Sequence, residues 1–305
     1  MAKHLLELSD FTSDEIKELL AAATELKAML RRGQRYEPLK GKTLTMIFQK
    51  PSSRTRASFE AGMFQLGGHA MHFAPEMLGF GSREPARDLA RILSRYSDGI
   101  MARLFAHADI EELARYADVP VVNGLTDYCH PCQILADLLT IIEHRGSLDN
   151  LALTFIGDGN NVANTWLDAA SLLPMQLTVA CPPGYEPNET IVNRAIAGGI
   201  SQIAVVSDPV EAVKQANILY TDTWTSMGQE QERPQRLKAF QGYQVNDELL
   251  SHAPKDAFVM HCLPAHRGEE ITDEVIEGPR SLVFDEAENR LHVQKAILVK
   301  LLSCA

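Results

Sequence analysis

Three features are scarce in this 305-residue sequence, and each scarcity excludes a class of protein. The five cysteines are an odd number in a long chain, so a disulfide framework is improbable and we expect reduced thiols. No run of about 18 uncharged apolar residues could span a membrane, and the N-terminus lacks signal and transit patterns. Basic residues are outnumbered 29 to 40, and the net charge of −11 argues against a nucleic-acid or anionic-lipid surface. These absences predict a cytoplasmic protein in which any anion site is local.

The residues that are present predict an α/β protein with two domains. The chain is 45% apolar and 23% charged, and its length suits two domains of roughly 100–200 residues each. Short apolar runs alternate with amphipathic stretches, which indicates parallel sheets flanked by helices. The expected strands of the first series are residues 43–48, 69–73, 99–104 and 119–122, with helices at 86–96 and 109–116. The expected strands of the second series are residues 151–156, 177–180, 202–206, 218–221 and 257–261.

Helical patterns at the two ends of the chain and in its middle predict the domain division. Apolar residues recur at helical spacing over residues 6–30, where Ser13 is a candidate N-cap. We expect the N- and C-terminal helices to bridge the domains. The predicted division is a first domain of residues 1–135 with a returning helix at about 287–305, an interdomain helix at 136–149, and a second domain of residues 150–286.

The first strand leads into a turn that is typical of an anion site. The turn reads Lys50-Pro51-Ser52-Ser53-Arg54-Thr55-Arg56 and precedes a predicted helix at 57–66. Free backbone N–H groups at a helix start bind phosphate, and hydroxyls with a guanidinium complete the shell. The alternative is a simple N-cap, for which serine is an ordinary choice. A cap does not require two arginines, which the helix dipole disfavours in a first turn, so the anion site is the better interpretation.

Two further motifs each leave an alternative open. The segment Cys129-His130-Pro131-Cys132-Gln133 contains a Cys-x-x-Cys pair that could indicate redox or metal chemistry. A structural zinc site needs four ligands, and no second pair follows at suitable spacing. The turn Gly157-Asp158-Gly159-Asn160-Asn161 begins like a dinucleotide fingerprint but lacks the third glycine, so it is more often a tight turn.

Polar loops follow two later strands at their carboxyl ends, where ligands bind in open α/β sheets. Asp222 could orient an amine, and Ser226 and Met227 follow in the same loop. Cys262 follows the next strand. Singly, each has a simpler interpretation: a turn-forming aspartate, a core methionine and a small buried cysteine. The charges at residues 286–292, where the last helix is expected to open, could be only a solvated face.

Taken together and in this order, these segments resemble the aspartate/ornithine carbamoyltransferase family over about residues 5–302. The Ser-Ser-Arg-Thr-Arg and His-Pro-Cys-Gln motifs resemble its shared carbamoyl-phosphate domain. The Asp222-x-Trp-x-Ser-Met-Gly and His261-Cys-Leu-Pro motifs resemble the ornithine branch, since the aspartate branch is expected to carry a Pro-Leu-Pro-type loop. The resemblance implies carbamoyl transfer from carbamoyl phosphate to the δ-amine of L-ornithine in arginine biosynthesis, with no metal or organic cofactor. It also implies a homotrimer or a multiple of trimers.

The resemblance also implies roles for individual residues. Those expected to bind carbamoyl phosphate are Ser52, Ser53, Arg54, Thr55, Arg103, His130, Gln133, Cys262, Leu263 and Arg290. Those expected to bind ornithine are Asn161, Asp222, Ser226 and Met227. The catalytic residues are expected to be Arg103, His130, Asp222 and Cys262.

Alternatives remain within and outside this family. Putrescine or an acylated ornithine could be the acceptor, and Gly157 and Gly159 weakly suggest a dehydrogenase. A non-catalytic homologue that binds a phosphate ligand is suggested by the loop at residues 76–84, which departs from the family pattern. Because of this departure, the sequence names no residue of that loop as a ligand for a neighbouring subunit.

Overall fold

The structure is a computed structural model that describes residues 3–74 and 84–303. The chain forms two compact units, Met1–Leu139 with Glu288–Ala305, and Thr140–Ala287. Each unit contains one parallel sheet flanked by helices, so the predicted fold class is confirmed. Apart from Glu84, the unusual loop at residues 76–84 lies outside the described residues. Within the described ranges, no helix has the length and apolar character needed to cross a membrane.

The first unit contains a four-stranded sheet in the order β2-β1-β3-β4. Its strands are β1 (Thr43–Phe48), β2 (His69–Phe73), β3 (Gly99–Arg103) and β4 (Val121–Leu125). After a 3-10 turn at Leu8–Asp10, its helices are α1 (Ser13–Arg31), α2 (Ser53–Gln65), α3 (Ala86–Leu93), α4 (His107–Tyr116) and the start of α5 (Pro131–Arg145). Both central strands, β1 and β3, end beside the start of α2, because Phe48 pairs with Arg103.

Several predicted boundaries in or next to this unit are wrong, among them the end of the predicted helix 86–96, which lies at Leu93. Helix α2 begins at Ser53 rather than 57, because Ser52 caps it and the polar Ser-Arg-Thr-Arg run forms its first turn. Strand β4 begins at Val121 and extends to Leu125, past the predicted end at 122. The last helix, α12 (Val283–Leu302), begins four residues before 287, so the acids Asp285 and Glu286 lie in its first turn. The first turns of α2 and α12 contain polar or acidic residues, so the spacing of apolar residues did not reveal where these two helices begin.

The second unit contains a five-stranded sheet in the order β7-β6-β5-β8-β9. Its strands are β5 (Ala152–Ile156), β6 (Gln176–Ala180), β7 (Gln202–Val206), β8 (Ile218–Thr221) and β9 (Phe258–His261). Its helices are α6 (Asn161–Ala170), α7 (Glu189–Ala197), α8 (Pro209–Val213), α9 (Arg233–Ala239), α10 (Asp247–His252) and α11 (Asp273–Ile276), with a 3-10 turn at Glu230–Glu232. From β5 the chain continues to β6 and β7 on one side of β5, and it then crosses back to β8 on the other side of β5. This reversal places the loops after β5 and β8 next to each other, where such folds bind ligands.

Thr12, rather than Ser13, caps helix α1, and the difference is measurable. Thr12 Oγ1 accepts a hydrogen bond from the Glu15 N–H (3.2 Å), and Glu15 Oε2 accepts one from the Thr12 N–H (2.9 Å). We expect Thr12→Ala to lower the free energy of unfolding by about 1 kcal/mol, the usual cost of a lost cap. Ser13→Ala is the matched control and should cost less. The measurement is the denaturant midpoint of unfolding of each variant. A larger loss of stability in S13A than in T12A would contradict the assignment of Thr12 as the cap.

His292 should make the stability of the protein depend on pH. Burial lowers the pKa of His292 to about 4, and the nearby Lys27 and Lys295 act in the same direction, against Glu288. An unfolded histidine titrates near about 6.5, so between these two values the unfolded chain takes up a proton that the folded chain does not. The contribution of His292 to the free energy of unfolding is therefore fully present above pH 6.5 and is lost as the pH falls toward 4. We expect His292→Gln to reduce the fall in Tm over this range, and equal slopes in both proteins would refute the assignment.

Candidate active site

Helix α2 opens the predicted anion site, and Ser52 is its N-cap. Ser52 Oγ accepts a hydrogen bond from the Thr55 N–H (3.2 Å), so the simple capping interpretation is correct for this residue. Ser53 and Arg54 follow in the first helical turn, where free N–H groups and the positive end of the helix dipole favour the binding of an anion. Arg56 differs from Arg54, because its Nε donates to Glu60 Oε1 at 2.9 Å. The structure thus gives the two arginines of the motif different surroundings.

Arg290 ties α2 to the start of α5. Its Nη2 donates to Thr55 Oγ1 (3.1 Å), and its Nη1 donates to Gln133 Oε1 (2.6 Å). All three side chains are buried in the first unit. A guanidinium presents several donors in a fixed plane, so it can hold both partners while keeping its charge beside the helix start. The structure therefore brings together Thr55, Gln133 and Arg290 as predicted neighbours.

His130 and Arg103 add a neutral ring and a further cation to this unit. Burial lowers the pKa of His130 well below its usual value, and Arg290, Arg103 and Arg54 lower it further in that order. His130 is therefore neutral near pH 7 and can donate one hydrogen bond without adding a charge. Three guanidinium groups around a neutral ring are suited to an anion that carries a polar, uncharged group.

The two cysteines next to His130 are packing groups. Cys129 Sγ contacts the Leu6 carbonyl oxygen and Asn123 Nδ2, both at 3.3 Å. Cys132 Sγ donates to the Asn123 carbonyl oxygen at 3.4 Å, and burial raises the pKa of this thiol to about 12. A thiol with such a pKa stays protonated near pH 7 and is a poor nucleophile or metal ligand. These contacts fix the turn that carries His130.

Asp222 is the centre of the candidate acceptor site in the second unit. It follows β8 and is buried. Its Oδ1 accepts from Cys262 Sγ (3.0 Å) and the Thr223 N–H (2.8 Å), and its Oδ2 accepts from Asn160 Nδ2 (2.7 Å). The predicted pair Asp222 and Cys262 is therefore in contact. Asn161 is the first residue of α6, and its neighbour Asn160 is the cap of that helix.

The loop with Ser226 and Met227 is held at its base by Arg236. Arg236 Nη1 donates to the Trp224 carbonyl oxygen and pairs with Asp158 Oδ2, both at 2.9 Å. Burial raises the pKa of Asp158 to about 6, although Arg236 opposes the rise. Met227 is 43% exposed, so it is not the core residue of the simpler interpretation. An exposed methionine on an anchored loop is available to cover a ligand.

His261 and Glu270 form a buried pair that the sequence did not reveal. His261 Nδ1 accepts from the Leu263 N–H (2.9 Å), so Nε2 carries the proton and faces Glu270 Oε1 at 3.2 Å. The backbone N–H of His261 donates to Glu286 Oε2 at 3.0 Å. Leu263 has a φ of 55°, an uncommon conformation for a branched residue. These bonds fix the segment that carries Cys262 and Leu263.

The protein resembles known families along nearly its whole length. Residues 3–143 match the model "Aspartate/ornithine carbamoyltransferase, carbamoyl-P binding domain". Residues 149–301 match the model "Aspartate/ornithine carbamoyltransferase, Asp/Orn binding domain". The two matches together span most of both compact units.

Individual relatives and solved structures are also similar to this chain over nearly its whole length. The ornithine carbamoyltransferase of Methanoculleus marisnigri is 54% identical, with 99% of this chain and 98% of the relative covered. The structure of ornithine carbamoyltransferase from Pyrococcus furiosus has a TM-score of 0.95 at 49% identity, with 99% of this chain and 97% of that chain covered. The anabolic ornithine carbamoyltransferase of Campylobacter jejuni has a TM-score of 0.93 at 39% identity, with 98% of each chain covered.

Proposed function

Because the chain belongs to the aspartate/ornithine carbamoyltransferase family, we propose that it transfers the carbamoyl group of carbamoyl phosphate to the δ-amine of L-ornithine, giving L-citrulline and phosphate. The observation that carries this proposal is the buried contact of Arg290 with both Thr55 and Gln133 at the start of α2, beside His130, whose pKa Arg290, Arg103 and Arg54 all lower. This arrangement suits a phosphate joined to a small, uncharged acyl group. The names of the similar proteins support ornithine as the acceptor.

The proposed chemistry is an attack of a neutral amine on the carbamoyl carbon. The new C–N bond forms as negative charge develops on the carbamoyl oxygen. The C=O bond then re-forms, the bond between the carbamoyl carbon and the bridging phosphate oxygen breaks, and the departing phosphate takes up the proton that the attacking nitrogen loses. Ser53, Arg54 and Thr55 hold the phosphate. Arg103 and His130 stabilise the developing oxyanion, and such preorganised donors typically contribute about 3–4 kcal/mol each.

The second unit supplies the proposed acceptor residues. Asn161, Asp222, Ser226 and Met227 bind ornithine, with Asp222 and Cys262 close to its δ-amine. An ammonium has no lone pair, so the amine must lose a proton before it attacks. The hydrogen bond from Cys262 Sγ to Asp222 Oδ1 supports this placement, because it keeps an acceptor and a polarisable thiol together after β8 and β9.

We also propose that the enzyme works in the biosynthetic direction, as a cytoplasmic homotrimer or multiple of trimers. The similarity to the anabolic ornithine carbamoyltransferase of Campylobacter jejuni supports the direction. The reaction transfers no electrons and therefore needs no redox cofactor, and we propose that Arg103 and His130, rather than a metal, stabilise the developing oxyanion.

A citrulline assay with the purified chain tests the proposed function. We expect citrulline to form from carbamoyl phosphate and L-ornithine, and to form more slowly when putrescine or an acylated ornithine replaces ornithine at equal concentration. No citrulline under these conditions would reject the transferase. Faster turnover of putrescine or the acylated amine would reject ornithine as the acceptor.

A further inference from the structure

A cluster of potential metal ligands lies in the turn that follows the segment with Cys262 and Leu263. One ligand atom from each of His266, Glu269 and Glu270 lies within 4.8 Å of the other two. All three residues belong to the second unit, and the Glu269 N–H donates to the His266 carbonyl oxygen at 2.8 Å. One imidazole and two carboxylates therefore meet in a single turn, outside the residues proposed to bind either substrate.

Glu270 is fully buried, yet only one of its two carboxylate oxygens has hydrogen-bond donors. Its Oε1 accepts from the His266 N–H (2.5 Å) and faces the protonated Nε2 of His261 at 3.2 Å. Within residues 3–74 and 84–303, no donor bonds to the buried Oε2. His266 Nδ1 lies 3.8 Å from this oxygen, which is too far for a hydrogen bond. A buried carboxylate oxygen is costly without a partner, and a bound cation would supply one.

The spacing and the kinds of ligand suit a transition-metal ion. Zn²⁺ lies about 2.0–2.2 Å from imidazole nitrogen and carboxylate oxygen ligands, so one ion can bridge the 3.8 Å between His266 Nδ1 and Glu270 Oε2. Glu269 adds a third ligand, because only its Oε1 pairs with Arg233. Ligating carboxylates are usually held by further hydrogen bonds, and the donors to Glu270 Oε1 meet this requirement. The imidazole favours Zn²⁺ over Mg²⁺ and Ca²⁺, which take oxygen ligands.

We propose that His266, Glu269 and Glu270 bind a divalent transition-metal ion such as Zn²⁺, with water in the remaining coordination positions. The ion is structural and takes no part in the carbamoyl transfer. It provides the second partner of the carboxylate that holds His261, and so stabilises the neighbouring segment with Cys262. Because only three ligands come from the protein, the ion exchanges with solvent and a chelator removes it.

A second group of potential ligands, Asp222, His261 and Cys262, belongs to the proposed acceptor site and is the rival position for an ion. Both nitrogens of His261 already have partners, the Leu263 N–H and Glu270 Oε1, so this group has only a carboxylate and a thiol to offer. Co²⁺ distinguishes the two positions. A thiolate ligand adds an intense sulfur-to-metal charge-transfer band to the Co²⁺ spectrum, whereas nitrogen and oxygen ligands do not.

The test is a calorimetric titration of the chelator-treated full chain with ZnCl₂, and a second titration with CoCl₂ followed by absorption. We expect one ion per chain, no sulfur charge-transfer band, and a rise in Tm of roughly 3–8 °C at about a hundredfold excess of Zn²⁺ over its Kd. Losing an outer partner of a metal typically costs about 10–100-fold in affinity, so losing a ligand in His266→Ala should weaken binding at least roughly tenfold. The side chain of His266 is 46% exposed, so H266A should fold.

His252→Ala is the matched control, because it removes an exposed histidine of the same unit that lies outside this turn. Its Kd for Zn²⁺ should equal that of the parent chain. No binding to the parent chain, or an equal Kd in H266A, would leave only an ion pair between His266 and Glu270 and would overturn the proposal. A charge-transfer band that disappears in Cys262→Ser would place the ion in the acceptor site instead. Displacement of Zn²⁺ by millimolar Mg²⁺ would reduce the cluster to an unselective acidic patch and would also overturn it.

Discussion

Replacing Arg54 by alanine should lower citrulline formation at least roughly a hundredfold, the usual effect of removing one preorganised donor to developing charge. Arg54 lies in the first turn of α2 and is close enough to His130 to lower the pKa of that ring. The loss should come chiefly from weaker binding of the phosphate in the ground state and the transition state. Steady-state kinetics with carbamoyl phosphate as the varied substrate measures it.

The same substitution should not destabilise the fold. A cation in the first turn opposes the helix dipole. Removing the Arg54 guanidinium should therefore raise the free energy of unfolding by about 0.3–1 kcal/mol. Arg56→Ala is the matched control, because it removes an exposed arginine of the same turn that pairs with Glu60. We expect R56A to keep most of the activity. Unchanged kinetics in R54A, or an equal loss in R56A, would refute the assignment of Arg54 to the phosphate.

Asp222→Asn should lower kcat/KM for ornithine at least roughly a hundredfold and leave the affinity for carbamoyl phosphate nearly unchanged. The carboxylate organises three donors, from Cys262, Thr223 and Asn160. Losing a charged partner in a buried site costs several kcal/mol, because the donors that remain lose their acceptor. An initial-rate study with each substrate varied in turn separates the two effects.

Cys262→Ser provides the comparison for Asp222→Asn. The serine hydroxyl still donates to Asp222, so the pair survives and only the thiol is lost. We therefore expect a smaller fall in kcat/KM for C262S than for D222N. Normal ornithine kinetics in D222N would remove Asp222 from the acceptor site, and a larger effect of C262S would make the thiol the more important of the two.

The parallel sheets were predictable because most of their strands are short apolar runs that alternate with helical stretches. The predicted strands 43–48, 69–73, 202–206 and 218–221 match the observed ones in both bounds. Helix starts were less predictable, since Ser53 and Val283 open first turns whose polar or acidic residues break the apolar period. The capping box of Thr12 and Glu15 was readable from the sequence, but Ser13 is an equally good cap by residue type.

The candidate site was predictable where its residues lie in recognisable motifs. His261 and Glu270 were missed because nothing in the sequence links a histidine to one of two adjacent acids nine residues later, and only burial pairs them. Asn160, which caps α6 and donates to Asp222, was not singled out, because the sequence does not show which of two adjacent asparagines caps the helix. The assignment of the predicted site residues to carbamoyl phosphate and ornithine stays a prediction.

The first unit is assembled from two distant stretches of chain, which constrains when it can mature. Arg290 and Gln133 are 157 residues apart, and closing a loop of that length costs entropy that local contacts do not. Residues 1–139 contain all four strands of this unit and the cap of α2, but not the guanidinium of Arg290 that links Thr55 to Gln133. The contacts of Arg290 with Thr55 and Gln133 can therefore form only after the second unit has been synthesised, and the proposed anion site lacks this guanidinium until then.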